Sequence, residues 1–290
     1  MNKYIILAFL SAIFIGISTV FASEAAKTVE PLIVASLTAL ISSIVIFSFL
    51  KLSRNKIQII SSIKRFPKEI FSIVLFRILV GNVLLIYGLR LTNAMKAGFM
   101  LRIEPLFVLI LASLFLRQKI KLKDILLTIV LLIGSFLLST SGNVSLFTGS
   151  QIGDILIILA TLFFSYTYIP AKELSTSIKP LAANVITNLI GGSILLVVAL
   201  LMFPISSFLL SNYALLMIIG YIVTFYFIGL TLWYDSLRKV RGWIVSYILS
   251  ISALTTAIVA YFWLDQTLTF IQIIGAIIIL ISSIYISKSR

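Results

Sequence analysis

Neither cysteine nor histidine occurs among the 290 residues, and only nine are acidic. Without thiolate or imidazole the chain can form no disulfide and no His- or Cys-ligated haem or ordinary zinc site. Catalytic triads and proton relays built on histidine are excluded with them, and no cofactor is expected. Charged residues of both signs make up 11% of the chain, against about a quarter in soluble globular proteins. Hydrophobic residues make up 61%, and the mean hydropathy is +1.19. A chain of this composition needs a lipid bilayer as its solvent.

Apolar runs recur along the sequence, each near the roughly 20 residues that a spanning helix requires. They predict an all-α integral membrane protein of ten transmembrane helices. In the first half these are Tyr4–Ser23, Pro31–Leu50, Ile70–Leu89, Ala94–Leu116 and Asp124–Ser141. In the second half they are Ile152–Ile169, Pro180–Phe203, Tyr213–Tyr234, Trp243–Leu264 and Thr269–Ser287. The first run imitates a secretory signal, with Lys3 before it and the small residues of Val20-Phe21-Ala22-Ser23 at its end. It is longer than the 7–15 apolar residues of a signal core, and is expected to remain as a span.

The net charge of +14 is placed asymmetrically. With the N-terminus inside, eighteen of the 23 Lys and Arg residues lie in inner loops or tails and only Lys27 and Arg90 in outer ones. Basic loops stay in the cytoplasm, so both termini are expected there, in the plasma or inner membrane of the cell. The same bias accounts for the basic balance without a nucleic-acid partner.

Shifting the chain by 148 positions pairs Gly81 with Gly229, Arg90 with Arg238, Leu101 with Leu249 and Gln118 with Gln266. Five spans per unit would send the second unit through the membrane upside down, so the loop bias must reverse. The basic loop Lys51 to Lys68 corresponds to Ala199 to Leu216, which has no charge, and tetrabasic Arg117 to Lys123 corresponds to Asp265 to Ile271, which has no basic residue. The reading is two inverted five-helix repeats, residues 1–142 and 152–287, with a midplane site between them.

Three stretches carry a family resemblance: Gly88-Leu89-Arg90-Leu91-Thr92-Asn93-Ala94, Leu101-Arg102-Ile103-Glu104-Pro105-Leu106-Phe107, and Trp263-Leu264-Asp265-Gln266-Thr267-Leu268-Thr269-Phe270 with the run that follows to Ala276. The chain resembles the EamA-type branch of the drug/metabolite transporter superfamily over essentially its whole length. It departs from the family's usual Gly-Glu after the fourth and ninth helices, having Arg117-Gln118 and Asp265-Gln266, and Ala253 stands where a second proline is usual. The resemblance implies secondary transport, often export, of small metabolites such as amino acids. It also implies a cavity lined by helices 1, 3, 4, 6, 8 and 9.

Arg77, Arg102 and Glu104 fall inside predicted spans, where an ionisable group costs at least about 2.5–3.5 kcal/mol. They must therefore face the protein interior or a wet cavity. Counting rise from the helix centres puts Glu104 about 1.5 Å from the midplane, Arg102 about 4.5 Å to its outer side and Arg77 about 4.5 Å to its inner side. Arg77 and Glu104 are expected to pair. Arg102, pointing elsewhere on its helix, is expected to be a free cation for a substrate carboxylate or phosphate. The alternative is a structural ion pair with Arg102 snorkelling outward. Glu104, held ionised by two nearby cations, points to a facilitative exporter or exchanger rather than a proton antiporter.

Pro105 removes an amide donor and frees the Leu101 carbonyl, which bends helix 4 beside Glu104. Ser250 and Ser252 stand opposite Arg102 and Glu104 in the repeat, and Tyr247 is placed at the pocket mouth. Lys96 is expected to snorkel at the interface, and Asn184 and Asn188 to bond across helices. Gly134 and Gly191-Gly192 are read as packing sites, and Trp233, Tyr234 and Trp243 as an interfacial belt. The partners implied are a small-molecule substrate and the bilayer, with a homodimer left open. An exchanger of phosphorylated metabolites or nucleotide sugars is the alternative within the class. A lipid-modifying membrane enzyme and a non-transporting scaffold are remote, since Asp154, Glu173, Asp235 and Asp265 stand singly near helix ends and form no catalytic cluster.

Overall fold

The computed structural model describes residues 3–52, 59–92, 94–116, 121–140, 151–263 and 269–288. Among these there is no β-strand, and nine helices are long and apolar enough to cross a membrane. They are α1 (Lys3–Thr28), α2 (Pro31–Leu52), α3 (Pro67–Leu91), α4 (Lys96–Phe115), α5 (Leu122–Thr140), α6 (Ile152–Ser177), α7 (Pro180–Met202), α8 (Asn212–Leu237) and α9 (Gly242–Trp263). A further helix, α10 (Phe270–Lys288), carries a shorter apolar stretch, Phe270–Ile286. The Arg117-Gln118 and Asp265-Gln266 positions and much of the two basic loops lie outside the described residues.

The helix ends follow from the sequence. Proline opens α2 at Pro31 and α7 at Pro180, where its missing amide costs nothing. The Ser211 side chain accepts from the Ala214 amide at 3.2 Å, and the Asp124 carboxylate from the Lys121 amide at 3.2 Å. The outer surface is apolar: Leu201 is 83% exposed and Phe262 79%, as expected of side chains that meet lipid. Small and hydroxylated residues turn inward, and Ser11 donates to the Gly229 carbonyl at 2.8 Å and Thr256 to the Gly16 carbonyl at 2.9 Å.

Glycines set how closely the helices approach. At Gly192 on α7 an added Cβ would lie 2.6 Å from the Leu40 amide nitrogen, a backbone atom of α2 that cannot swing aside. At Gly98 on α4 nothing lies within 4 Å. We therefore expect Gly192→Ala to cost about 1–3 kcal/mol by overpacking, and Gly98→Ala to be neutral or slightly stabilising. Thermal unfolding in detergent checks both.

Two spans change winding midway. Within α3 the segment Ile73–Asn82 is a π-helix, and within α8 the segment Ile222–Gly229 is another. Two others are interrupted. In α4 the helix stops at Leu101 and restarts at Glu104, and in α9 it stops at Leu249 and restarts at Ser252. Both interruptions fall 148 positions apart.

Across each break the amides bond three residues back instead of four. Arg102 donates to Phe99 at 2.8 Å and Ile103 to Met100 at 3.2 Å, while Ser250 donates to Tyr247 and Ile251 to Ile248, each at 3.1 Å. The break in α4 lies just ahead of Pro105. That in α9 forms with Ala253 in the proline's place, so the ring is not required for it.

Candidate functional site

Six helices, α1, α3, α4, α6, α8 and α9, wall a central cavity with about 60 Å³ of interior free volume, room for a few water molecules. Its wall is mainly apolar, with the hydroxyls of Ser18, Thr19 and Ser252 among it. Arg77, Arg102 and Glu104 all reach it.

Arg102 comes from the break in α4 and is only 5% exposed. Its Nε donates to the Gly98 carbonyl at 3.2 Å and its Nη1 to Ser252 Oγ at 2.6 Å and to the Leu249 carbonyl. The expected free cation is thus a strap between two helix breaks. The cause is backbone chemistry: Ala253, which would serve Leu249 in an unbroken helix, donates to Ser250 instead. A carbonyl released at membrane depth must find another donor, and the guanidinium supplies it.

Arg77 does not form the ion pair expected with Glu104. Its guanidinium carbon lies 4.3 Å from the centre of the Trp233 ring and 5.3 Å from that of Phe164, and Nη1 donates to Thr167 at 3.3 Å. Counting rise fixes only the depth of the two side chains, and Arg77 sits inside the π-helical segment, whose winding alters the phase that sets its direction around the helix. A half-buried cation over an indole is stabilised by about 1 kcal/mol. The Glu104 carboxylate accepts from the Tyr168 hydroxyl at 3.1 Å. Tyr168 meets Trp233 edge-on at 5.1 Å, so a chain of contacts through two aromatic rings links the carboxylate to the Arg77 guanidinium.

The other expectations divide. Tyr247 is fully buried away from the cavity, with its hydroxyl bonded to Thr128 and to the Asp124 carbonyl, so it ties α9 to α5 and lines no mouth. Ser250 is also fully buried and donates to the Ser246 carbonyl of its own helix at 3.3 Å. Its neighbour Ser252 takes the place at the wall. Lys96 does not snorkel: it is 7% exposed and bonds Asp154 at 2.6 Å. Asn184 bonds the Tyr226 carbonyl at 2.6 Å and Thr231 at 3.0 Å, across from α7 to α8.

Trp233, Tyr234 and Trp243 form no interfacial belt, being 1%, 0% and 4% exposed. Trp233 and Phe225, which the sequence reading left out of the site, could have been found by applying the repeat offset to the wall. Arg77 and Phe225, Leu85 and Trp233, Leu101 and Leu249, and Glu104 and Ser252 are each 148 apart, and all eight line the cavity. Tyr168 has no such signal.

Among the described residues no group of three His, Cys, Asp or Glu side chains could hold a metal. The site offers two guanidinium groups, one carboxylate and aromatic faces.

The sequence is similar to two curated proteins named as transporters. One is an uncharacterized transporter of Methanothermobacter thermautotrophicus strain Delta H, 26% identical over 93% of this chain and 82% of that protein. The other is the uncharacterized transporter YetK of Bacillus subtilis strain 168, 24% identical over 95% of this chain and 83% of that protein. One solved crystal structure superposes with a TM-score of 0.77 at 13% identity, over 100% of this chain and 98% of its own, and so shares the fold. The EamA-like transporter family matches twice, over residues 2–140 and 151–288. With that match spanning both halves around a central cavity inside an apolar bundle, the chain belongs to the EamA-like transporter family and is a multi-pass membrane transporter.

Proposed function

We propose that the protein is a secondary transporter of the cell membrane, an exporter or exchanger of small zwitterionic metabolites such as amino acids. In this reading ten spans form two inverted five-helix units, residues 1–142 and 152–287, with both termini in the cytoplasm. The units rock about the central cavity to give alternating access. The pairing of cavity-wall residues and of helix breaks at the 148-residue offset supports the duplication.

One observation carries the substrate reading: Arg77, Arg102 and Glu104 converge on a single apolar-walled cavity at the helix breaks. A carboxylate drawn to Arg77, an ammonium to Glu104 and an apolar body against Phe164, Phe225 and Trp233 would use each feature of the wall. Two of the three guanidinium nitrogens of Arg102 are already engaged by Gly98, Leu249 and Ser252, against one of Arg77 by Thr167. That leaves Arg77 as the main anion partner and favours a monoanionic carboxylate over a phosphate ester.

The test is counterflow in proteoliposomes with a labelled amino-acid mixture and no imposed proton gradient. Glu104→Gln and Arg77→Gln should each reduce transport by roughly 10- to 100-fold, the loss of one charge-assisted hydrogen bond of about 1.5–3 kcal/mol. Competition by sugar phosphates and not by amino acids would move the assignment to phosphorylated solutes.

A further inference from the structure

The packing of α5 against α10 leaves a feature that the transport cavity does not use. At Gly134 and Gly275 the two helices touch backbone to backbone: a Cβ on Gly275 would lie 2.5 Å from the Gly134 carbonyl oxygen and 2.5 Å from the Leu138 amide nitrogen. Away from this contact, towards the start of α5 and the end of α10, a groove opens between them, lined by Leu126, Val130, Ile281 and Tyr285. Its walls are apolar and exposed, Leu126 at 54%, Ile281 at 63% and Tyr285 at 50%. Lys123 closes its mouth with its ammonium 4.5 Å from the centre of the Tyr285 ring. Lys121 stands two residues earlier and is exposed.

We propose that this groove holds one anionic phospholipid, its phosphate at Lys123 and the Tyr285 hydroxyl, and one acyl chain along Leu126 and Val130 down to the glycine contact. The chemistry is that of an amphiphile with a negative head. A cation stands in the first turn of α5 and a phenol in the last turn of α10, and an open apolar groove runs from them along α5 for about 10 Å, the rise from Lys123 to Val130. If both termini are cytoplasmic, this end faces the leaflet that carries anionic lipid. A second copy of the chain fits the slot poorly, because a twofold contact there would bring Lys121 and Lys123 of both copies together. The site is independent of the transported solute.

Native mass spectrometry of the full-length protein with added phosphatidylglycerol or phosphatidylcholine tests it. Phosphatidylglycerol should be retained about fivefold better, the effect of one basic residue at a lipid surface. Lys123→Gln should bring its retention down to that of phosphatidylcholine. Val130→Trp, on an exposed position outside the packed core, should block the slot and lower retention of both lipids. Equal retention of the two lipids by the unaltered protein would overturn the proposal. So would a preference that survives both substitutions, a stable adduct with glycerol phosphate alone, or a dimer that Val130→Trp dissolves.

Discussion

Asp154→Leu is expected to lower the unfolding free energy by about 3–5 kcal/mol, the cost of leaving one member of a buried ion pair without its counter-charge. Lys96 and Asp154 meet at 2.6 Å with side chains each only 9% exposed, and Thr92 donates to the same carboxylate at 3.4 Å. The pair joins the first turn of α4 to the first turn of α6, and α6 also approaches α3 through Gly88 and Gly153. Lys96→Met should cost a similar amount. The double variant Lys96→Met/Asp154→Leu should recover most of the loss, since an apolar pair of similar volume needs no desolvation. Unfolding of the four proteins in one detergent, read as a double-mutant cycle, measures the coupling. Additive losses would show that the two charges are not stabilising one another.

Arg102→Met should be nearly as disruptive, for a different reason. It removes charge-assisted bonds to the Leu249 carbonyl and Ser252 that hold the two helix breaks together. Bonds of that kind contribute about 1.5–3 kcal/mol each, so a loss of about 3 kcal/mol is expected, together with transport below about a tenth of the original rate. Arg102→Lys retains the charge but not the fork that reaches a carbonyl and a hydroxyl together, and should restore little of either. Thermal unfolding and counterflow on the same preparations separate the two effects. A fully stable but inactive Arg102→Met protein would make the arginine a solute ligand rather than a strap.

The sequence carried the spans because each apolar run must be long enough to cross lipid. It also carried Arg77, Arg102 and Glu104 as inward-facing, because charge cannot face acyl chains. It did not carry their partners. A depth count places a side chain along the membrane normal, but its azimuth depends on helical phase, and the π-helical turn at Ile73–Asn82 alters that phase ahead of any contact. Tyr168 was unreadable for a related reason: an aromatic residue in a membrane chain suits an interface and a cavity wall equally, and unlike Trp233 it has no repeat partner on the wall. The Lys96–Asp154 pair was within reach. Both residues sit one turn into helices that enter from the same side in the expected topology, and opposite charges at equal depth are candidates for pairing.

The two helix interruptions look alike yet differ in what sustains them. In α4 the amide that a continuous helix would need at position 105 is absent from the covalent chain, and no rearrangement can supply it. In α9 every amide is present, and Ala253 merely spends its own on Ser250 instead of Leu249. A straightened α4 is therefore closed to this protein, whereas α9 keeps the means to rewind into an unbroken rod whenever Arg102 lets go of the Leu249 oxygen.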